Sequence, residues 1–179
     1  MHTLSMNPNT PRAWVGCLAC YNSGRLVGDW YDANEVGDLD YDQIHQDGGW
    51  LEPCDGEEYW VFDSEALPGG EMDPATAASW GERYDELADD SQWPAYLVYV
   101  ENFGRGDLPE IADFRDAYKG EFSEFVDYVY ELEQGSGLMD GWPEIAQRHF
   151  DWDGYAEELE QDYLVVDSPG GYHIFWAHN

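Results

Sequence analysis

Two of the three cysteines, Cys17 and Cys20, form a C-x-x-C pair. With His45 and Cys54 they would complete a set of three thiolates and one imidazole, a combination that holds zinc. The segment Arg12 to Cys20 (RAWVGCLAC), however, reads as a β-strand, and residues three apart in a strand point to opposite faces. On that reading the pair is poorly placed for one metal, and buried structural thiols are expected instead. Asp38, Asp40 and Asp42 open like a calcium-binding EF-hand loop. Its sixth position is then Gln43 where the turn demands Gly, and its twelfth is Gly49 where a bidentate Glu belongs. A solvated acidic face is expected there. The five His are scattered, with no H-E-x-x-H and no nucleophile elbow. Glycoside hydrolysis needs only two carboxylates, but among thirty-nine acids some pair always meets, so this is no signal. The sequence therefore offers no catalytic residue, no cofactor and no metal site, and it reads as a non-enzyme.

What remains is the carboxylates themselves. Thirty-nine Asp and Glu face seven Lys and Arg, for a formal charge of −32 over 179 residues. Such a chain would be disordered if it lacked core residues. It carries nine Trp, thirteen Tyr and seven Phe, so it is expected to fold and to hold its charge in a fixed geometry. The acids are interleaved with core residues along the whole chain, never more than two in a row, which is unlike an acidic tail. Duplex DNA carries one charge per roughly 1.7 Å of axis, so this charge corresponds to about 54 Å, or about 16 base pairs. Carboxylates at such spacing can take the Lys and Arg contacts that line a DNA-binding channel. The candidates are acids of the helical faces: Asp85, Glu86, Asp89, Asp113, Asp116, Glu121, Glu124, Asp127, Glu131, Glu157, Glu158 and Asp162. An anionic surface disfavours nucleic acid and anionic lipid as partners. No apolar run approaches a membrane span, and Met1 to Pro11 has no apolar core of a signal peptide. Three unevenly placed cysteines make no disulfide framework, which suits a reduced, cytoplasmic setting. Salt adaptation is a competing reading, because Lys119 is the sole Lys. It accounts poorly for the abundance of large aromatics.

The elements that must position these acids fall into three parts. Residues 1–66 read as an α+β domain: strand Arg12–Cys20, turn residues Tyr21 to Gly24, and a returning strand Arg25–Ala33 with Leu26, Gly28 and Trp30 on one face. A short helix over Asp38–Gln46, ended by Gly48-Gly49, and a third strand over Glu57–Ser64 complete an antiparallel sheet with one helix. Leu67-Pro68-Gly69-Gly70 is the clearest linker. Residues 67–106 read as a small helical middle domain. Asp73 caps its first helix, with Pro74 at the first position and Trp80, Tyr84, Leu87 and Ala88 in helical spacing. A second helix runs from Pro94 to the Gly104 stop. Residues 107–179 read as a second α+β domain. A helix starts over Asp107–Phe114, and Arg115–Glu121 is open between helix and strand. Ser123–Glu133 is a helix lined by Phe125, Val126, Val129 and Leu132. Helices over Pro143–Phe150 and Asp153–Gln161 follow, and a hairpin of Tyr163–Asp167 with Tyr172–Ala177 closes the chain. Along Ser123–Glu133 the acids Glu124, Asp127 and Glu131 fall three to four apart, a mildly repulsive arrangement. Trp142 and Trp176 are candidates for a dimer seam.

The block Pro11 to Trp30 (PRAWVGCLACYNSGRLVGDW) resembles the N-terminal signature of the ArdA antirestriction family. Tyr96 to Gly104 (YLVYVENFG), Phe114 to Glu121 (FRDAYKGE) and Phe150 to Leu159 (FDWDGYAEEL) are similar to later blocks of that family, and the strand Glu57 to Asp63 sits where its first domain closes. Asn34 to Pro53 matches least well. The resemblance implies an elongated, dimeric α+β protein of three small domains that imitates B-form DNA. Such a protein occupies the DNA-binding groove of type I restriction-modification enzymes and so protects mobile DNA. It also implies that Arg115–Glu121 is a strand beside the C-terminal hairpin. The alternative target is another basic DNA-binding protein, such as a nucleoid protein.

Overall fold

The computed structural model describes residues 7–177, and the chain forms two compact units, Met1–Ile111 and Ala112–Asn179. Its class is α+β: two three-stranded antiparallel sheets, one in each unit, with helices packed on them.

In the first unit, β1 (Arg12–Cys17) lies between β2 (Gly28–Asp32) and β3 (Tyr59–Glu65). Trp14 pairs with Trp30 across β2, and Val15 pairs with Val61 across β3 after a bulge at Trp14/Val15. Alternation then sends Ala13, Val15 and Val61 to one face, where they are fully buried with Tyr31, Val36, Ile44 and Ala77. The hairpin and the third strand are as the sequence implies, but the connection is not. The first strand stops at Cys17, and Leu18–Asn22 forms a short helix, α1, capped by the Cys17 sulfur, which accepts from the Cys20 amide. Leu26, expected inside the returning strand, lies before it and is exposed.

Helix α2 (Tyr41–Asp47) is capped by Asp40, whose carboxylate accepts from the Asp42 amide at 3.0 Å, and it ends at Gly48. The acidic run Asp38/Asp40/Asp42 is thus a helix start with exposed acids. Helix α3 (Pro74–Leu87) begins as expected: Asp73 accepts from the Thr76 amide at 2.9 Å and its hydroxyl at 2.6 Å, with Pro74 in the first turn. Those bonds hold the Asp73 carboxyl below its ordinary pKa. Gly81 lets α3 approach the 3-10 turn Ala33–Asp38, since a Cβ there would sit 2.1 Å from the Asn34 nitrogen. Helix α4 (Trp93–Phe103) buries Trp93, Ala95, Tyr96 and Tyr99. The Trp93 ring stacks on Tyr96, meets Trp80 and Tyr84 edge-on, and donates its N–H to the Ala66 carbonyl at 2.7 Å. Large aromatic rings such as these supply much of the apolar burial that a strongly charged chain needs.

In the second unit, α5 (Ile111–Ala117), whose first residue belongs to the other unit, leads into β4 (Tyr118–Phe122). The open segment Arg115–Glu121 is therefore helix to Ala117 and strand beyond it, and the helix begins four residues later than Asp107. The hairpin of β5 (Tyr163–Ser168) and β6 (Gly171–Trp176) pairs through β6 with β4, as the resemblance implies. Gly171 has φ +138, and a Cβ there would meet the Phe122 carbonyl at 2.2 Å, so this corner requires glycine. Helices α6 (Phe125–Ser136) and α8 (Trp152–Leu159) cover one sheet face, burying Phe125, Tyr128, Val129, Ala156 and Ile174. On the other face Phe175 and His173 meet Tyr118 and Phe114. Leu132, expected in the apolar stripe of α6, is exposed, and Tyr128 is buried. Helix α7 (Glu144–Arg148) is short and buries nothing. Among the described residues no helix is long and apolar enough to cross a membrane.

Candidate functional site

The acids are placed by what their helices bury. Along α3 the buried residues Ala77, Trp80, Gly81 and Leu87 turn Glu82, Asp85 and Glu86 outward. Asp85 accepts from the Asn34 side-chain amide at 2.7 Å. Glu86 pairs with Arg83 at 3.0 Å, and Arg83 also reaches Glu110 at 2.6 Å. Asp89 caps the 3-10 turn Asp90–Gln92, accepting from the Ser91 hydroxyl at 2.6 Å.

In the second unit, burial of Phe114 and Ala117 leaves Asp113 and Asp116 on the solvent side of α5. Lys119 donates to the backbone carbonyl of Asp116 at 2.7 Å rather than to its carboxylate. Glu121 is tied to the β5–β6 turn, accepting from the Ser168 hydroxyl at 2.5 Å and the Gly170 amide at 3.1 Å, and both bonds hold its carboxyl below the usual glutamate range. Glu124 and Asp127 form the reciprocal capping box of α6. Glu131 is exposed one turn beyond Asp127, and Glu157 and Glu158 flank buried Ala156 on the outer side of α8. Asp162 is half-buried, and its carbonyl accepts from the Ala177 amide at 3.0 Å. Eleven of the twelve sequence candidates are thus exposed, and Asp162 is the exception. Glu82 and Asp153 are exposed on the same helices, three and four residues from Asp85 and Glu157.

The sequence model of the antirestriction protein (ArdA) family matches residues 13–173, nearly the whole chain. The chain belongs to the ArdA family. No curated protein matches the sequence closely. In this chain every acid is exposed except Asp73, Glu133 and Asp162, which are half-buried.

Most of this ArdA protein's basic groups are engaged locally. Arg12 lies against Asp32 and Glu65, Arg83 against Glu86 and Glu110, and Arg148 against Glu144. The Arg25 guanidinium sits over the Trp50 ring at 4.8 Å. These pairs neutralise a small fraction of thirty-nine carboxylates, and the remainder sums to a strong negative potential. Two kinds of acid emerge. Asp85, Glu86, Asp89, Glu121, Glu124 and Asp127 are fixed by intramolecular bonds. Asp113, Asp116, Glu131, Glu157 and Glu158 present their carboxylates to solvent on helices whose opposite sides are packed.

One group departs from the sequence reading. Cys17 and Cys20 do not point apart, because Cys20 lies on α1 and not on the strand. With His45 and Cys54 they bring their ligand atoms within 4.8 Å of one another.

Proposed function

We propose that this ArdA protein inhibits type I restriction-modification enzymes by imitating B-form DNA and occupying their DNA-binding groove, without catalysis. The observation that carries this reading is the exposure of nearly all thirty-nine acids on a scaffold packed with aromatic side chains, with few basic groups to neutralise them. A groove built for phosphates offers Lys and Arg, and carboxylates displayed there release the same counterions. Carboxylates carry no base edges, so inhibition is blind to the sequence an enzyme recognises. Because the helices and caps already fix many of these acids, binding loses little conformational entropy. The active form in this reading is an elongated homodimer in the host cytoplasm, with exposed Trp142 a candidate for its seam. Its three parts divide at 67 and 107.

The test uses two type I enzymes of unrelated specificity, each bound to its labelled duplex. Similar displacement of both duplexes is the expected outcome. Displacement of one only, or none from either while DNA is released from a nucleoid protein, contradicts the proposal.

A further inference from the structure

We propose that Cys17, Cys20, His45 and Cys54 form a closed structural zinc site that fastens the loop between α2 and β3. The Sγ atoms of Cys17 and Cys20 lie 3.7 and 3.6 Å from that of Cys54, and the Cys20 Sγ lies 3.8 Å from His45 Nε2. A tetrahedron with zinc–sulfur bonds of about 2.3 Å has sulfur–sulfur edges of about 3.8 Å. The four atoms therefore already stand close to the corners such an ion requires, all within 4.8 Å of one another.

The alternative of a disulfide fits less well. Cys54 is almost equidistant from both partners, at separations far beyond the roughly 2.05 Å of a sulfur–sulfur bond, and all three cysteines are free. Separations of 3.7 and 3.6 Å match instead the edges of a coordination tetrahedron.

The surroundings are those of an oriented metal site. The His45 Nδ1 lies 2.9 Å from the Tyr41 carbonyl, so a proton held there by that acceptor leaves the Nε2 lone pair directed at the thiols. The Tyr41 hydroxyl lies 2.8 Å from the Cys17 sulfur and 3.3 Å from that of Cys54, positioned to donate to a thiolate. The Cys20 amide donates to the Cys17 sulfur at 3.3 Å. Cys17, Cys20 and His45 are buried and Cys54 is half-buried, so four protein ligands fill the sphere and no position is left for a reacting water. Three thiolates with one imidazole suit zinc among the divalent ions.

Such a site explains a feature of the chain. Between Asp47 and Tyr59 there is no helix or strand, and Cys54 lies in the middle of that run. The ligands come from the end of β1, from α1, from α2 and from this loop, so one ion would join all four.

The experiment is elemental analysis of the untagged full-length protein, purified reduced, followed by cobalt(II) titration after chelation. The expected result is about one zinc per chain, a lower melting temperature after chelation, and a cobalt spectrum with intense tetrahedral bands and a thiolate charge-transfer band. Cys54→Ser and His45→Ala should lose stoichiometric metal. His45→Cys, which offers a fourth thiolate, should keep it with a shifted cobalt spectrum, separating loss of a ligand from loss of the fold. Folded reduced protein that contains no zinc and gives only weak octahedral cobalt bands would overturn the site, as would stoichiometric zinc retained in both Cys54→Ser and His45→Ala, or iron found in its place. Metal content is read on the free protein, so the result stands apart from any inhibition of a partner.

Discussion

At the scale of single residues, the acids divide by what they touch. Asp113, Glu131, Glu157 and Glu158 have solvent-facing carboxylates, and exposed ion pairs contribute roughly 0.5 kcal/mol each. Each neutralisation to the matching amide should weaken inhibition only about 2-fold, and all four together about 30-fold. Titrations of the single variants and the quadruple variant check this. A single change with the full loss would mean a hot spot instead of a distributed surface. Glu121 and His173 set a pH dependence of stability. The bonds from Ser168 and Gly170 depress the Glu121 pKa, so its stabilisation is present above the unfolded glutamate pKa and is lost as pH falls through the folded one. Burial depresses the pKa of His173, opposed in part by the charge of Glu121, so the unfolded state takes up its proton first and stability falls as the pH drops below about 6.5. Both effects weaken the second unit on acidification. Urea unfolding at pH 7.5 and 5.5 should show a loss that is smaller in His173→Leu, and an equal loss in both proteins would mean that His173 does not contribute to it.

At the scale of elements, much was legible. Asp73-Pro74 and Asp40 announce helix starts because a cap is a local interaction. The closing hairpin is visible because alternation and Pro169-Gly170-Gly171 lie side by side. What was not legible depends on tertiary contact. Leu18-Ala19-Cys20 continues a β-leaning run, and only the Cys17 cap and the packing of Cys20 bend it into α1. That single turn reverses the geometry of the C-x-x-C pair. Of the α6 stripe Phe125, Val126, Val129 and Leu132, the structure buries Phe125 and Val129, while Leu132 is exposed and Tyr128 is buried, its hydroxyl 3.1 Å from that of Tyr163. The outward acids of α3, α5, α6 and α8 were legible because charge avoids a buried face, whereas the bonds that fix half of them were not. Close approach at Gly81 was equally hidden. Gly81→Ala should destabilise the first unit by about 1–3 kcal/mol, because the new methyl meets the Asn34 backbone, which cannot swing aside as a side chain can. Thermal unfolding measures this, and an unchanged melting temperature would contradict the packing.

At the scale of the whole molecule, a charge of −32 opposes compaction, and the aromatic clusters of each unit oppose that repulsion. Salt adaptation and DNA mimicry then predict opposite behaviour. A salt-adapted chain unfolds when salt is removed, whereas a mimic stays folded and binds more tightly. Circular dichroism at low ionic strength should show an intact protein. The proposed elongated dimer should give a small-angle scattering radius of gyration well above the roughly 21 Å of a compact dimer of this chain length, and a value near that figure would contradict the extended form.

In the proposed mode of inhibition, carboxylates take the place of phosphates in a basic cleft. Its most direct measurement is the affinity of this protein for a type I restriction-modification enzyme as a function of salt. Replacing phosphate contacts predicts a fall of at least about tenfold between 50 and 200 mM salt, with the duplex displaced throughout and the slope reduced in the quadruple amide variant. Affinity independent of salt, or a complex in which the enzyme keeps its DNA, would contradict it.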